Sequence, residues 1–421
     1  MHFDVIVAGG GFAGVGAAIS AARHGRRVLL IDKNGALGGA ANESLVMPFM
    51  PYFTFVPDGE GKTRRVDLVR GIFSEISAAL RVEGADAFFD PLLFDSERLK
   101  TVLDDLVTEA GVQVLFHTTV TEAVIDDGRL TAVRAYACGQ MMTFSADVFV
   151  DATGDGALAA LCGCRFHVGR EEDGLCQPMT LCFRVGGVDY AAFSLELPAM
   201  QALYKQRQAE GKIKNPREDL LVFPTPHKGL IHFNSTRILR ADPTDPFSLS
   251  RAEMEGRRQM RELFAFLQED FPLFSEAYIV SCAASIGVRE SRMVVGEHRL
   301  TGEELVALTK FPDAVAAGNY DIDIHDPTGS GTSHYYFPAG EYYTVPYRSL
   351  VAADVDRLLV AGRCLSCDHE AQASIRIMPI CCATGQAAGT AAAMLCGTDT
   401  AARDLDTDAL RRTLTGDGAF C

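Results

Sequence analysis

The side chains equipped for chemistry gather late in this chain: Arg289, Arg292 and Arg376, with His325, His369 and the pair Cys364 and Cys367. A guanidinium is planar and offers several N–H groups, so these arginines could orient a carboxylate or carbonyl by paired hydrogen bonds. For any one of them a salt bridge is an equally ordinary use. An imidazole titrates near neutrality, which suits His369 or His325 to removing or supplying a proton. His325 closes the run Asp321-Ile-Asp323-Ile-His325, whose alternation at strand spacing puts two carboxylates and an imidazole on one face. That face could transfer protons or hold a metal weakly; the commoner reading is the wet side of a half-buried strand. Cys364-Leu-Ser-Cys367 has the C-x-x-C spacing of a redox pair, with packed free thiols as the default.

Such groups need a scaffold, and the start of the chain supplies one. Asp4-Val-Ile-Val-Ala breaks into Gly9-x-Gly11-x-x-Gly14, with Phe12 and Ala13 between the last two glycines. An apolar β-branched run, a glycine turn and then small residues read as strand, tight loop and helix: a dinucleotide cradle with a diphosphate on the helix N-terminus. A second strand, Arg27 to Ile31, ends in Asp32, about where an acid holds a ribose hydroxyl. Lys33 follows, then a second glycine turn at Gly38 and Gly39. The strand Asp147 to Asp151 runs into Ala152-Thr153-Gly154-Asp155-Gly156 and returns the chain to the nucleotide. Arg357 to Val360 is a further strand, ending in a turn at Gly362 and Arg363.

Between these landmarks the apolar spacing predicts helices over about 64–80, from an N-cap at Ser96 to Gly111, and from a capping box at Ser250. Met47 to Phe55 is aromatic and Met-rich and could line an apolar pocket, although core packing explains such a stretch more often. Strands are expected at 112–116, 120–125 and 130–137, and again at 181–185, 220–223 and 230–233. The last helix is expected over Thr384 to Leu395, its Gly and Ala surface permitting close backbone approach.

Length and charge set limits. The chain has 421 residues and a formal net charge of −16, which argues against a nucleic acid or an anionic membrane surface as partner. No membrane span or signal peptide is read, and a cytoplasmic location follows by default. The 12 Cys lack the density of a disulfide scaffold and suit reduced thiols. No metal site is assigned, since the cysteines do not converge with cluster spacing.

Taken in this order, the motifs give the chain a resemblance to the FAD-dependent oxidoreductases, in particular to bacterial single-chain members of the glutathione-reductase-like class. Val360-Ala-Gly-Arg-Cys-Leu-Ser366, Ser374-Ile-Arg376-Ile-Met-Pro379 and Gly385-Gln-Ala-Ala-Gly-Thr-Ala-Ala392 complete the set. The resemblance implies an α/β fold: a Rossmann-like FAD-binding domain of residues 1–164 and 350–421, with an inserted α+β substrate domain of 165–349. Residues 43–95 are left open to the substrate side. It implies FAD as cofactor, with pyrophosphate on the first loop, adenosine ribose at Asp32, and the adenine edge at the Val120 backbone. The ribitol side would lie at Gly362 and its neighbours, and the last helix, through Gly385 and Gln386, would point at the isoalloxazine. A helix N-terminus there would stabilise negative charge on the reduced ring by roughly 0.3 to 2 kcal/mol. The implied activity is hydride exchange between a small organic substrate and flavin N5, with an unidentified electron acceptor; an oligomer is compatible with it. Two other readings remain: a flavin-linked thiol–disulfide oxidoreductase using Cys364 and Cys367, and a non-catalytic binding protein on the same fold.

Overall fold

The structure is a computed structural model that describes residues 1–59, 61–81 and 92–421; the last part of the 43–95 segment, residues 82–91, lies outside the described residues. The opening apolar run forms strand β1 (His2–Ala8), and the glycine turn leads into helix α1 (Phe12–Arg23). β2 (Val28–Ile31) is buried at every residue, as a strand covered on both faces must be. Helix α2 (Ser96–Glu109) precedes β3 (Gln113–Leu115), β4 (Thr119–Asp126), β5 (Arg129–Ala137) and β6 (Gln140–Asp151). The sheet order is β3-β2-β1-β6-β5-β4, and Leu358–Val360 pairs with β6 as a seventh strand.

β1 runs parallel to both its neighbours, with Val5 opposite Val28 on one side and Val148 on the other. β4, β5 and β6 form an antiparallel meander. The parallel half therefore brings the turns after β1, β2 and β6 to the same carboxyl edge, the usual place for a ligand in such a sheet. Helix α3 (Met378–Leu395) lies against α1 at a distance only small residues allow. A Cβ on Gly385 would come within 2.0 Å of Ala13 O, and one on Gly389 within 2.1 Å of Ala17 O. Ser20 and Thr390 join the two helices by a buried 2.7 Å hydrogen bond.

A separate four-stranded antiparallel sheet comes from Phe183–Gly186, Val222–Pro224, Leu230–Phe233 and Tyr278–Cys282. The long helices Tyr190–Ala209 and Pro246–Asp270 share its core. That core draws on residues 181–283 and Leu45, whereas Met293, Val315, Tyr343 and Val345 join the core of the large sheet.

Four local expectations change. Residues 64–67 belong to a strand, Thr63–Asp67, paired with Phe53–Pro57; the helix starts only after Gly71, at Ile72–Ala79. The cap of α2 is Asp95, whose carboxylate accepts from the N–H groups of Glu97 and Arg98. The helix expected from Ser250 starts at Pro246 under an Asp245 cap, and Ser250 donates its hydroxyl back to Pro246 O. Finally, α3 begins at Met378, six residues before Thr384.

The small sheet carries a pH liability. His232 is fully buried, neither ring nitrogen has a hydrogen-bond partner, and burial, then the nearby Arg184, pushes its pKa down to about 3. Between pH 6.5 and 3 the unfolded chain binds a proton there that the folded chain does not, so acid favours unfolding. The His232 contribution is a loss of about 1.4 kcal/mol per pH unit below that upper limit. Denaturant titrations at neutral and mildly acid pH should show a shallower acid loss for His232→Phe than for the parent.

Candidate active site

Three turns at the carboxyl edge of the large sheet, together with β4, wall a cleft of about 580 Å³, within the range of small-molecule sites. The first turn is shaped by backbone contact. Gly9 has φ +100, and a Cβ on Gly14 would stand 1.7 Å from Gly9 O, so the turn closes on itself only without side chains there. Gly11 is different: a Cβ added to it would meet only Gly39 Cα, at 3.9 Å, and would otherwise point into open cleft. α1 starts at that point with no side-chain cap and no acidic residue in its first turn, leaving backbone N–H groups for an anion. The cradle therefore fits a pyrophosphate.

Gly9, Gly11, Phe12, Ala13, Asp32, Lys33, Gly38, Gly39 and Val120 all line the cleft, as do Thr153, Gly154, Asp155, Gly362 and Arg363. Asp32 is buried at the end of β2, accepting from the backbone N–H of Gly10 and, at 2.7 Å, from that of Asn34. These bonds fix its carboxylate at the rim, where a ribose hydroxyl could still reach it. Asp155 joins the third turn to its surroundings: Arg363 donates to it at 2.8 Å and Ser291 Oγ at 2.8 Å. Burial works against the charge on Asp155, but Arg363 and Ser291 outweigh it and hold its pKa below the usual value.

The other end of the cleft is polar and charged. β7 (Ile322–His325) presents Asp323 and His325 to it, and both are buried rather than wet. Asp323 Oδ2 lies 3.3 Å from His325 Nε2 and 3.4 Å from Arg376 Nη2, and accepts from the Tyr320 hydroxyl at 3.1 Å. On the far side of the ring, His325 Nδ1 is 3.0 Å from Thr332 Oγ1, which donates to Glu218 at 2.8 Å. Burial opposes the charge on Asp323, yet the hydrogen bond from His325 and the positive Arg376 and Arg289 hold its pKa far below the usual carboxylate range. Burial and then Arg289 push His325 well below the usual imidazole value, outweighing Asp323. Near neutrality the pair is thus a charged carboxylate beside a neutral imidazole.

Arg289, Arg376 and His325 meet in this one cleft, as proximity of the proposed roles requires. His369 is elsewhere. It opens the helix His369–Ile375, and its Nδ1 bonds Glu290 at 2.8 Å, tying that helix to the segment before β7. Although it follows Gly362 closely in sequence, it is not among the residues that line the cleft. Arg292 is also off the cleft, donating to Asp155 O at 3.2 Å and lying over the Phe166 ring. Gly14 packs beneath the first turn. Gly385 and Gln386 sit within α3, against α1 and against the Ile72 N–H respectively. The end of α3 that reaches the cleft is its true start, at Ile377, Met378 and Cys381, again without a side-chain cap. Cys364 and Cys367 are buried off the cleft, and burial raises both thiols well above their usual pKa, which disfavours thiolate.

Several cleft groups carried no usable signal in sequence: Tyr320, Glu218 and Thr332 join the site only through tertiary packing, as does Ser291 behind Asp155. Asp323 did carry one, the alternation of the run it belongs to. The Met47–Phe55 stretch divides, with Met47 and Phe49 buried in the core and Pro48 and Met50 on the cleft. No described helix is long and apolar enough to cross a membrane.

The chain is similar to several known proteins. A digeranylgeranylglycerophospholipid reductase of Sulfolobus acidocaldarius is 25% identical over 167 residues, 37% of this chain and 34% of that one. A soluble pyridine nucleotide transhydrogenase of Chromohalobacter salexigens is 55% identical over 38 residues, 9% of this chain and 8% of that one. The matches thus span about a third of the first of these curated relatives and less than a tenth of the second. Among solved structures, a geranylgeranyl bacteriochlorophyll reductase-like protein of Thermoplasma acidophilum aligns over 99% of this chain and 84% of its own, at 13% identity and a TM-score of 0.47. The FAD dependent oxidoreductase family matches residues 4–414. The chain belongs to that family of enzymes, whose cofactor is FAD.

Proposed function

We propose that this protein exchanges a hydride between a small organic substrate and flavin N5, passing the electrons to or from a separate acceptor. The observation that carries the reading is continuity: one cleft is lined by the three glycine turns at one end and by Arg289, Arg376, His325 and Asp323 at the other. FAD, when bound, supplies the two-electron chemistry. In this reading the Gly9–Gly14 turn holds its pyrophosphate, Asp32 its ribose and the Val120 backbone its adenine edge. Lys33, Gly38, Gly39 and Thr153 to Asp155 wall the same end, with Gly362 and Arg363 on the ribitol side. The start of α3 presents its positive end to the ring in place of Gly385 and Gln386.

His325 is the residue placed to move the proton. Asp323 holds Nε2–H by accepting from it, which leaves Nδ1 between the Thr332 hydroxyl and Arg237 Nη1, at 3.0 and 3.5 Å. When His325 gains a proton on Nδ1, that proton can pass to Thr332 Oγ1 as the hydroxyl's own proton passes to Glu218, a partly exposed carboxylate. The test is an anaerobic screen of small organic substrates against the purified yellow protein, following the flavin absorbance. Bleaching by a substrate supports the reading. A flavin that no substrate bleaches, and that after photoreduction no acceptor reoxidises, favours the non-catalytic alternative.

A further inference from the structure

The charged end of the cleft holds one guanidinium that has no ion-pair partner among the described residues. Four guanidiniums gather there, and three have a carboxylate partner: Arg217 with Asp219 at 3.0 Å, Arg237 with Glu218 at 3.1 Å, and Arg376 with Asp323 at 3.4 Å. Arg289 is the fourth. Its Nη1 donates to two neutral acceptors, Pro178 O and Thr180 Oγ1, both at 2.6 Å, and among the described residues no carboxylate lies within ion-pair distance of it. Asp321, the remaining acid nearby, is turned to His334 at 2.6 Å.

An unpaired charge out of water is costly, and proteins pair such groups or leave them for a ligand. The Arg289 guanidinium lines the cleft and is surrounded by like charge, Arg376 and Arg217 both disfavouring its protonated form. Even so it keeps its proton at neutral pH, since burial and those two cations bring its pKa only to about 9. The Arg289 guanidinium, without a carboxylate of its own and with the Arg376 cation beside it, makes a receptor for a planar anion.

We propose, building on the hydride-transfer reading, that the substrate is a small carboxylic acid bound as its monoanion, its carboxylate held by Arg289 with Arg376 beside it. The anion gives Arg289 the charged partner it lacks. Asp323 and His325, a few ångströms from Arg376, then face the carbon skeleton rather than the carboxylate, since a second negative group would be repelled by Asp323.

The experiment compares acetate, lactate and benzoate with acetamide, lactamide and benzamide as ligands of the holoenzyme, by flavin difference spectra and by calorimetry. At least one acid is expected to bind about ten- to a hundred-fold more tightly than its amide, the discrimination a charge-assisted pair supplies. Arg289→Met should remove that preference, and Arg289→Lys, which keeps the charge without the fork, should retain part of it. The proposal is overturned if no acid outbinds its amide in the parent, or if the preference survives in Arg289→Met. A preference that survives there while the flavin reduction potential falls would assign Arg289 to the cofactor instead. Calorimetry reads the preference without any flavin signal, so a parent protein devoid of FAD would count against the hydride-transfer reading alone.

Discussion

Gly11→Val should leave the protein folded while weakening its hold on FAD by about ten- to a hundred-fold, the cost of forcing a side chain into filled space. The expectation rests on the contrast between two glycines three residues apart. At Gly14 a Cβ would stand 1.7 Å from Gly9 O, so any side chain displaces the turn itself. At Gly11 the backbone has φ −69, which every residue adopts, and the added Cβ has nothing closer than Gly39 Cα at 3.9 Å. The protein tolerates the larger residue; a pyrophosphate in the cradle does not. Apo-protein melting should therefore be unchanged in Gly11→Val and lowered in Gly14→Ala, with FAD lost from both. If Gly11→Val keeps FAD at the parent affinity, the phosphates do not lie on this turn.

Asp323→Asn should lower kcat by a hundred-fold or more, the scale of a lost acid–base arrangement, without weakening the binding of an anionic substrate. The carboxylate does two jobs that an amide cannot. It fixes the His325 tautomer through Nε2, and it offsets Arg376. Removing its charge leaves a second uncompensated cation, so KM for an acid should stay level or fall as kcat drops. A raised KM at unchanged kcat would move Asp323 from proton handling to substrate binding. Since both Asp323 and His325 are held below their usual pKa values, the pair keeps its charge state as pH falls through the range where free imidazole titrates. The kcat profile of the parent should be flat there.

The glycine-turn end of the cleft was largely written in the sequence because backbone geometry dictates residue type. A turn in which Gly14 touches Gly9 O accepts nothing but glycine, and the spacing follows from one turn of chain. The alternation of Asp321, Asp323 and His325 was visible too, although period alone could not say whether that face was wet or buried. Burial was decided by what packs over it, with Arg376 in the turn between two helices and Thr332 on the facing strand. His369 shows the converse. Proximity in sequence to Gly362 promised a place in the site, and a helix start capped by Asp368 sent the ring to Glu290 instead. The start of α3 was legible and overlooked: Pro379 lies in its first turn, a position proline favours at helix starts. Residues 64–67 were ambiguous in principle, since Val66 and Val69 suit a helix as well as a strand until Phe53–Pro57 offers a partner.

The cleft is expected to hold FAD on the glycine turns with a substrate subsite in the same enclosure. The most direct measurement is the flavin released from the purified full chain on denaturation. One FAD per chain, freed without proteolysis, is the expected result. A colourless protein that takes up no FAD when it is supplied in excess would contradict it.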